Sequence, residues 1–308
     1  MSLGSFRNYI DFGIAASAYF FSKFIKPNMA TQLTPLPNVA ELTPLVTRVL
    51  GQNAGSFTLQ GTNTYLIGSG EKKILIDTGD HGVSKYIECL KEALKGNQIE
   101  SIIITHWHDD HVGGIPDVLK LSNSTIPIYK MKRQDKVEEV KNSLYQYVDD
   151  GFIVKTEGAT LKMIATPGHT TDHAVIFLEE EKTLFSGDCI LGEGSSVFED
   201  LFTYMNSLNI LLALQPNKIY PGHGPVITSP TDKINEYISH RNTREKQILD
   251  SLKDQPYLSS MDITNSVYTN INLALKLGAW NNVKHHLSKL LKENKITEIS
   301  TDRYRLNC

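Results

Sequence analysis

Short apolar runs alternate with glycine-rich turns over residues 46–227, and most of these runs have the length of β-strands. Residues 61–67 and 73–79 predict two strands joined by a Gly-Ser-Gly turn. Apolar residues at helical spacing over residues 83–94 predict a helix, and the apolar run 101–104 after it predicts a buried strand. This pattern by itself indicates a mixed α/β fold.

Helical periodicity replaces the strands after residue 228. The sequence Ser-Pro-Thr-Asp at 229–232 has the form of a capping box and predicts a helix that continues to about residue 253. A similar start signal at 259–262 predicts a second helix to about residue 277, with a break in it as an alternative. A third helix has an apolar face of Val283, Leu287, Leu290 and Leu291, and residues 296–306 predict a hairpin. Three helices and a hairpin resemble a winged helix.

The first 28 residues differ from the rest of the chain. They contain an apolar helical stripe with three basic residues and one acid, which is too short to span a bilayer and fits a secretory signal poorly. We predict a mitochondrial targeting segment at 1–28 and a location in the mitochondrial matrix; a disordered extension is the alternative. Translation from Met29 would give a cytoplasmic form. We expect domains at 29–228 and 229–308 and no stable membrane association.

Composition indicates a globular enzyme. The chain has 308 residues, 40% of them hydrophobic, and a net charge of −3, with the basic excess confined to its C-terminal part. The three cysteines, Cys89, Cys189 and Cys308, are odd in number and lack Cys-x-x-Cys spacing, which favours a reducing compartment. Cys189 is interpreted as a small buried hydrophobe and not as a metal ligand.

Seven potential metal ligands occur in four places, and each place follows a short apolar run. Four of them lie within six positions of one another, and three follow downstream: His106, His108, Asp110 and His111, then His169, Asp188 and His223. A catalytic zinc ion uses three protein ligands and leaves one position to water, so seven donors are too many for one ion. The set therefore predicts two metal ions.

Divided between two zinc ions, the donors form two groups. His106, His108 and His169 would bind the first ion, Asp110, His111 and His223 the second, and Asp188 would bridge them. Water between the ions would lose a proton near pH 7 and supply the nucleophile, with Asp110 as orienter and proton acceptor. Asp110 and Asp188 are thus the predicted catalytic residues, and Mn²⁺ is an alternative metal.

Roles are also predicted for other side chains from their positions in the sequence relative to these ligands. His173 is predicted to donate to the leaving oxygen, with a core histidine as the alternative, and Asn63 and Thr64 are predicted to hydrogen-bond substrate. Asp77, at the end of a strand, would support a metal-bound imidazole. Trp107 would pack beneath the ligand loop or stack on a base.

Basic residues of the third C-terminal helix are candidates for contacts with phosphates. Lys284 and Lys289, with His285 and Lys292, project mostly away from its apolar face, and a solvated helix face is the alternative. Four such groups would give weak, salt-sensitive, sequence-independent binding.

Residues 46–227 resemble the metallo-β-lactamase superfamily, whose signature is His-x-His-x-Asp-His followed by a distant His, Asp and His. The runs 185–201, 204–208 and 219–227 are similar to the β-lactamase-like protein 2 group. The resemblance implies an αββα sandwich, two metal ions and a zinc-dependent endoribonuclease that acts on single-stranded RNA in mitochondria; it predicts no oligomeric state.

Two other functions remain open. Glyoxalase II has the same metal ligands, so a hydrolase of thioesters or small esters is the alternative enzyme. A nucleic-acid-binding protein with structural metals is the third hypothesis. It is disfavoured because structural zinc sites are normally closed by four protein ligands.

Overall fold

A computed structural model of the protein describes residues 33–307, apart from residues 123–124, 137, 139–143, 270 and 272. The chain divides into two compact units, residues 33–238 and residues 239–307. The boundary predicted at 228/229 lies ahead of this division. The segment 1–28 and Cys308 lie outside the described residues. Within the described residues, no helix is long and apolar enough to cross a membrane.

Two β-sheets form the middle of the first unit. The first sheet contains, in spatial order, β1 (Val39–Thr43), β2 (Val46–Leu50), β3 (Asn63–Ile67), β4 (Lys72–Ile76), β5 (Gln98–Ile104), β6 (Ile128–Met131) and β7 (Gln146–Val148). The second contains β8 (Ile153–Thr156), β9 (Ala159–Ala165), β10 (Ala174–Leu178), β11 (Thr183–Gly187) and β12 (Lys218–Pro221). Strands β4 to β7 pair in parallel, as do β11 and β12, and the other pairs are antiparallel.

Helices cover the outer face of each sheet. They are α1 (Ser84–Leu94), α2 (Asp109–Val112), α3 (Ile115–Ser122), α4 (Leu201–Leu214) and the beginning of α5 (Pro230–Leu252). Residues of α1 and α3 pack on the first sheet, and residues of α4 and early α5 pack on the second. The main core lies between the sheets. The architecture is therefore the expected αββα sandwich.

Strand β5 illustrates why the apolar runs lack alternation. Ile103 lies in the core between the sheets, whereas Ile102 and Ile104 pack under the helices. All three side chains are fully buried. A central parallel strand is covered on both faces, so it requires a continuous apolar sequence.

The second unit combines the later part of α5 with α6 (Ser260–Val267), α7 (Leu273–Lys292), β13 (Ile296–Ser300) and β14 (Arg303–Leu306). The capping box predicted at 259–262 is present, with reciprocal bonds between Ser259 and Asp262. The second helix is broken and ends at Val267, so residues 273–277 begin α7. Leu273 and Leu277 are exposed, so these leucines do not mark a buried face.

Candidate metal centre

The predicted ligands meet at one edge of the sandwich because several strands end there. The loop after β5 carries His106 and His108, helix α2 carries Asp110 and His111, and the segments after β9, β11 and β12 carry His169, Asp188 and His223. Their ligand atoms form two sets, within each of which all atoms lie within 4.8 Å of one another. The structure thus brings all seven predicted donors together.

The first donor group has the geometry of a tetrahedral site. His106 Nε2 lies 2.9 Å from His108 Nδ1, and His169 Nε2 lies 3.3 Å and 3.2 Å from these two nitrogens. Zinc bonds of about 2.0 Å in a tetrahedron separate ligand atoms by about 3.3 Å. The three imidazoles are therefore placed to bind one common ion.

The second group surrounds Asp110. Asp110 Oδ2 lies 3.3 Å from both His111 Nε2 and His223 Nε2. Asp188 connects the groups, because its Oδ2 lies 3.3 Å from His223 Nε2 and 3.7 Å from His169 Nε2. Its Oδ1 lies 3.5 Å from His111 Nε2. This carboxylate faces both groups, as a bridging ligand must.

Asp77 fixes the orientation of His111 and supports His106 indirectly. Its Oδ2 accepts hydrogen bonds from His111 Nδ1 at 2.7 Å and from the Thr105 hydroxyl at 2.8 Å. The Thr105 hydroxyl also lies 3.0 Å from His106 Nδ1. A proton held on Nδ1 of each imidazole leaves Nε2 free to bind a cation.

Backbone carbonyls do the same for His169 and His223. His169 Nδ1 donates to the Val197 carbonyl at 2.8 Å, and His223 Nδ1 to the Gly61 carbonyl at 3.4 Å. In both residues Nε2 is the atom that faces the other donors. The tautomers therefore match the proposed ligand set.

The histidines of the two groups have pKa values shifted in opposite directions. Burial and neighbouring imidazoles hold the pKa of His106 well below its ordinary value and lower that of His108 to about 3. In the second group burial acts against the charge, but the Asp110, Asp77 and Asp188 carboxylates raise the pKa of His111 well above 6.5. Adjacent Asp188 and Asp110 likewise raise the pKa of His223 to about 9 despite its burial.

The carboxylates of the site stay ionised. Burial would raise the pKa of Asp110 and Asp188, but the neighbouring imidazoles outweigh burial and hold both values below the ordinary one. The ion pairs that these two residues form among the described residues are with histidines. Buried negative charge of this kind is suited to metal cations.

Two glycines allow Asp188 to sit where it does. Gly187 has a φ of +46°, and a Cβ there would meet His173 Nε2 at 2.8 Å. A Cβ at Gly222 would collide with Asp188 Oδ1. The His173 ring is fully buried, and its Nε2 accepts from the Asp188 backbone N–H at 3.2 Å while its Nδ1 faces the Thr166 hydroxyl at 2.9 Å. This position supports Asp188 and does not favour proton donation to a leaving group.

Asn63 and Thr64 are also buried, which does not favour the predicted contacts with substrate. The Asn63 amide donates to the carbonyls of Pro221 and Gly224, both at 2.9 Å, and so holds the turn that carries His223. The Thr64 hydroxyl lies 3.0 Å from the Val49 carbonyl and accepts from Tyr86. Both side chains act inside the fold.

Sequence reasoning missed the hydroxyl groups that support the ligands. Thr62 donates to Asp110 Oδ2 at 2.8 Å, and Thr105 links Asp77 to His106. Thr105 is signalled only by its position directly before the first ligand, and Thr62 has no such signal. Cys189 is buried in the core beside α4, its thiol pKa is raised by burial, and it belongs to neither donor group, as its interpretation as a hydrophobe requires.

The second unit presents only part of the predicted phosphate-binding face. Lys284 is exposed and lies 4.6 Å over the Trp280 ring. Lys289 is instead buried, with ion pairs to Glu245 and, at 2.7 Å, to Glu293. Its charge is neutralised within the unit, so the prediction that Lys289 meets a phosphate is corrected.

Comparison with known families identifies a known domain in each of the two units. A family described as the metallo-beta-lactamase superfamily matches residues 57–223, and a beta-lactamase associated winged helix domain matches residues 259–304. The structure is similar to a beta-lactamase domain protein from Burkholderia ambifaria, with a TM-score of 0.74, 17% identity and coverage of 90% of this chain and 96% of the other. The winged-helix prediction is thereby confirmed.

Similar sequences carry two kinds of name. A beta-lactamase-like protein 2 homolog from Caenorhabditis elegans is 54% identical over 86% of this chain and 90% of its own length. The homolog from Drosophila melanogaster is 47% identical over 85% and 92%. An atrochrysone carboxyl ACP thioesterase from Aspergillus novofumigatus is 39% identical over 76% and 70%.

Proposed function

The chain belongs to the metallo-beta-lactamase superfamily and is a hydrolase with a His/Asp cluster suited to metal ions, and from this premise we propose that it is a metal-dependent endoribonuclease of single-stranded RNA. The observation that carries the proposal is the pairing of two donor groups through Asp188. Two cations joined in this way suit phosphodiester hydrolysis, because they can stabilise both the attacking and the leaving oxygen.

We propose zinc as the metal, with two ions per chain and Mn²⁺ as the alternative. The first group offers three imidazole nitrogens, which zinc prefers, and the second includes the Asp110 carboxylate, which also accepts manganese. When bound, these cations would make water more acidic and neutralise charge that builds on the phosphate.

The residues of the chain have distinct tasks in this proposal. Asp110 and Asp188 have side chains 20% and 12% exposed, whereas His106 and His111 are fully buried, so the carboxylates line the solvent side. Asp110, held by the Thr62 hydroxyl, would orient the attacking water and take up its proton. Asp188 would fix the separation of the cations.

RNA is the proposed substrate because its phosphodiester suits the paired donor groups and because a winged helix with an exposed Lys284 follows the hydrolase unit. A lysine beside an aromatic ring offers both charge and a stacking surface to an unpaired strand.

The mitochondrial matrix is the proposed location, and it is tested by fractionation of cells that produce the chain from Met1 and, separately, from Met29.

Thioester hydrolysis is the second candidate, and the fungal thioesterase among the similar sequences favours it. The same activated water can attack a carbonyl carbon. The paired donor groups support hydrolysis of either substrate, and the winged helix with its exposed Lys284 is the feature that favours RNA.

The deciding experiment incubates purified protein with labelled single-stranded RNA, double-stranded RNA and an acyl thioester, with and without chelator. We expect chelator-sensitive cleavage of single-stranded RNA inside the strand. Asp110→Ala and His111→Ala proteins, purified in parallel, exclude a contaminating ribonuclease if they are folded and inactive. Thioester turnover without RNA cleavage would reject the proposal.

A further inference from the structure

Trp107 lies between two metal ligands in sequence and is held by stacking. The Arg133 guanidinium carbon lies 4.0 Å from the centroid of its ring. The indole nitrogen is buried and has no hydrogen-bond partner among the described residues. The position of this ring, and of the backbone between His106 and His108, therefore depends on what packs against it.

Arg133 is itself fixed by a carboxylate. Its Nε and terminal nitrogen donate to the two oxygens of Asp135 at 3.1 Å and 2.5 Å, which is the paired geometry that holds a guanidinium most firmly. Asp135 also accepts a hydrogen bond from the Thr171 hydroxyl, and Gln134 N donates to the same hydroxyl at 3.3 Å. Thr171 follows His169 by two positions.

A continuous path of contacts thus runs from one ligand loop to another. It passes from Trp107 through Arg133 and Asp135 to Thr171. We propose that Arg133 is a positioning residue for the first donor group, because it connects the loop of His106 and His108 to the loop of His169.

The shape of the guanidinium explains why arginine occupies this position. Its flat face covers the indole while its edge binds the carboxylate, and a lysine ammonium cannot do both. The path ends at Trp107, between His106 and His108, and at Thr171, two residues after His169. Arg133 stacks on Trp107 and pairs with Asp135, neither of which belongs to the second donor group, so its loss should affect one ion more than the other.

Direct binding of a substrate phosphate is a weaker interpretation of Arg133. Its side chain is 11% exposed, and the carboxylates of Asp135, Asp172 and Glu199 all act on its charge. A phosphate would have to displace Asp135 and approach three acids. The surroundings of Arg133 therefore fit an internal support.

The test measures metal affinity, so it holds for an RNA substrate and a thioester substrate alike, although it rests on the proposed metal centre. Apoprotein of the full chain competes with a chromophoric chelator for Zn²⁺ alone. For Arg133→Lys we expect one of two ions to bind about 10-fold to 100-fold more weakly, the range typical of residues that support metal ligands. The other ion should keep its affinity, and the apoprotein its melting temperature.

Arg244→Lys is the matched control, because Arg244 also lies 4.0 Å from an aromatic ring, that of Tyr268 in the second unit. It should leave both affinities unchanged. Asp135→Asn is the second variant: it should reproduce the Arg133→Lys loss, and the double variant should lose little more because both changes break one path.

Two outcomes would overturn the inference. In the first, Arg133→Lys and Asp135→Asn keep both affinities. In the second, both ions weaken equally together with the melting temperature of the apoprotein, as expected of a role in folding alone. If the unsubstituted protein binds no Zn²⁺, the proposed metal centre itself fails, and the inference fails with it.

Discussion

The metal centre and the cluster around Glu245 both bury charge, but they balance it differently. In the second unit, Glu245 forms ion pairs with Lys289 and, at 2.8 Å, with Lys295. In the first unit, the ion pairs of Asp110 and Asp188 among the described residues are with histidines. The metal centre therefore brings two carboxylates together with imidazoles, whereas the cluster around Glu245 pairs its carboxylate with lysines.

This difference separates a site from a structural contact. A buried acid paired with lysines needs no further partner, whereas carboxylates paired with imidazoles can exchange the imidazole protons for a metal ion. Buried charge alone thus does not indicate function. A functional site is indicated when buried carboxylates lack lysine or arginine partners and when several ligand atoms face one another.

The largest expected effect is the loss of the bridging carboxylate. Asp188→Asn keeps the size of the side chain but removes the charge that faces both donor groups. We expect hydrolysis to fall by more than about 100-fold, beyond the loss typical of supporting residues, and bound metal to decrease. Elemental analysis and turnover check this. Normal metal content with normal turnover would contradict the bridging role.

Removal of metal should affect the two regions unequally. At a concentration about 1000 times the dissociation constant, a bound ion stabilises the folded state by about 4 kcal/mol. For a unit of this size that corresponds to about 10 °C in melting temperature. Calorimetry before and after chelation should show the decrease in the transition of the first unit. An identical decrease in every transition would remove the distinction between the regions.

Asp77→Asn tests whether a carboxylate that supports the metal ligands, without being a ligand itself, affects metal affinity. Asp77 has a φ of +57°, which asparagine tolerates, so the backbone should survive while the bonds from His111 and Thr105 weaken. We expect metal affinity to fall about 10-fold to 100-fold. The control is Asp254→Asn, an exposed aspartate with a φ of 60°. Equal losses in both variants would point to backbone effects.

Glu245→Gln tests the balanced cluster. Removal of one partner of a buried ion pair costs about 3 kcal/mol, and here it leaves Lys289 without its main counter-charge. Chemical denaturation should show this loss with metal content unchanged. Asp250→Asn, which breaks the exposed pair with Lys253 on the same helix, should leave stability as it was. Reduced metal binding in Glu245→Gln would contradict the separation of the two regions.

The same cluster predicts a response to acid. Burial raises the pKa of Glu245, but the hydrogen bonds from Lys289 and Lys295 outweigh burial and hold the pKa below its ordinary 4.5. A depressed pKa contributes stability above the unfolded value and loses it as pH falls through the folded value. The second unit should therefore lose stability below about pH 4.5, and Glu245→Gln should reduce that slope.

The sequence was sufficient to predict structural features that depend on residues close together in the chain. The strand run before His106 and the capping box at Ser259 are short patterns with a direct physical cause, and both were confirmed. The αββα layers came from the family resemblance, since apolar runs alone indicate only mixed α/β structure. The convergence of the seven donors followed from their places after strands.

Contacts between distant parts of the chain were not predictable. Thr62 supports Asp110 across 48 positions, and a threonine just before a strand gives no sign of such a partner. Lys289 was assigned to an exposed face because the acid that pairs with it, Glu245, lies 44 positions earlier, on helix α5, and only the fold brings the two together. Helical spacing predicts which face a residue occupies, but not whether another helix covers that face.

Helix α5 contributes to the cores of both units. Ile234 and Tyr237, near its beginning, pack with α4, whereas Ile248 and Leu252, near its end, pack with α6 and α7. Excision at residue 229 would expose apolar surface on the hydrolase unit and make it prone to aggregation. A chimera in which the C-terminal unit is replaced must therefore preserve the apolar face of the first turns of this helix.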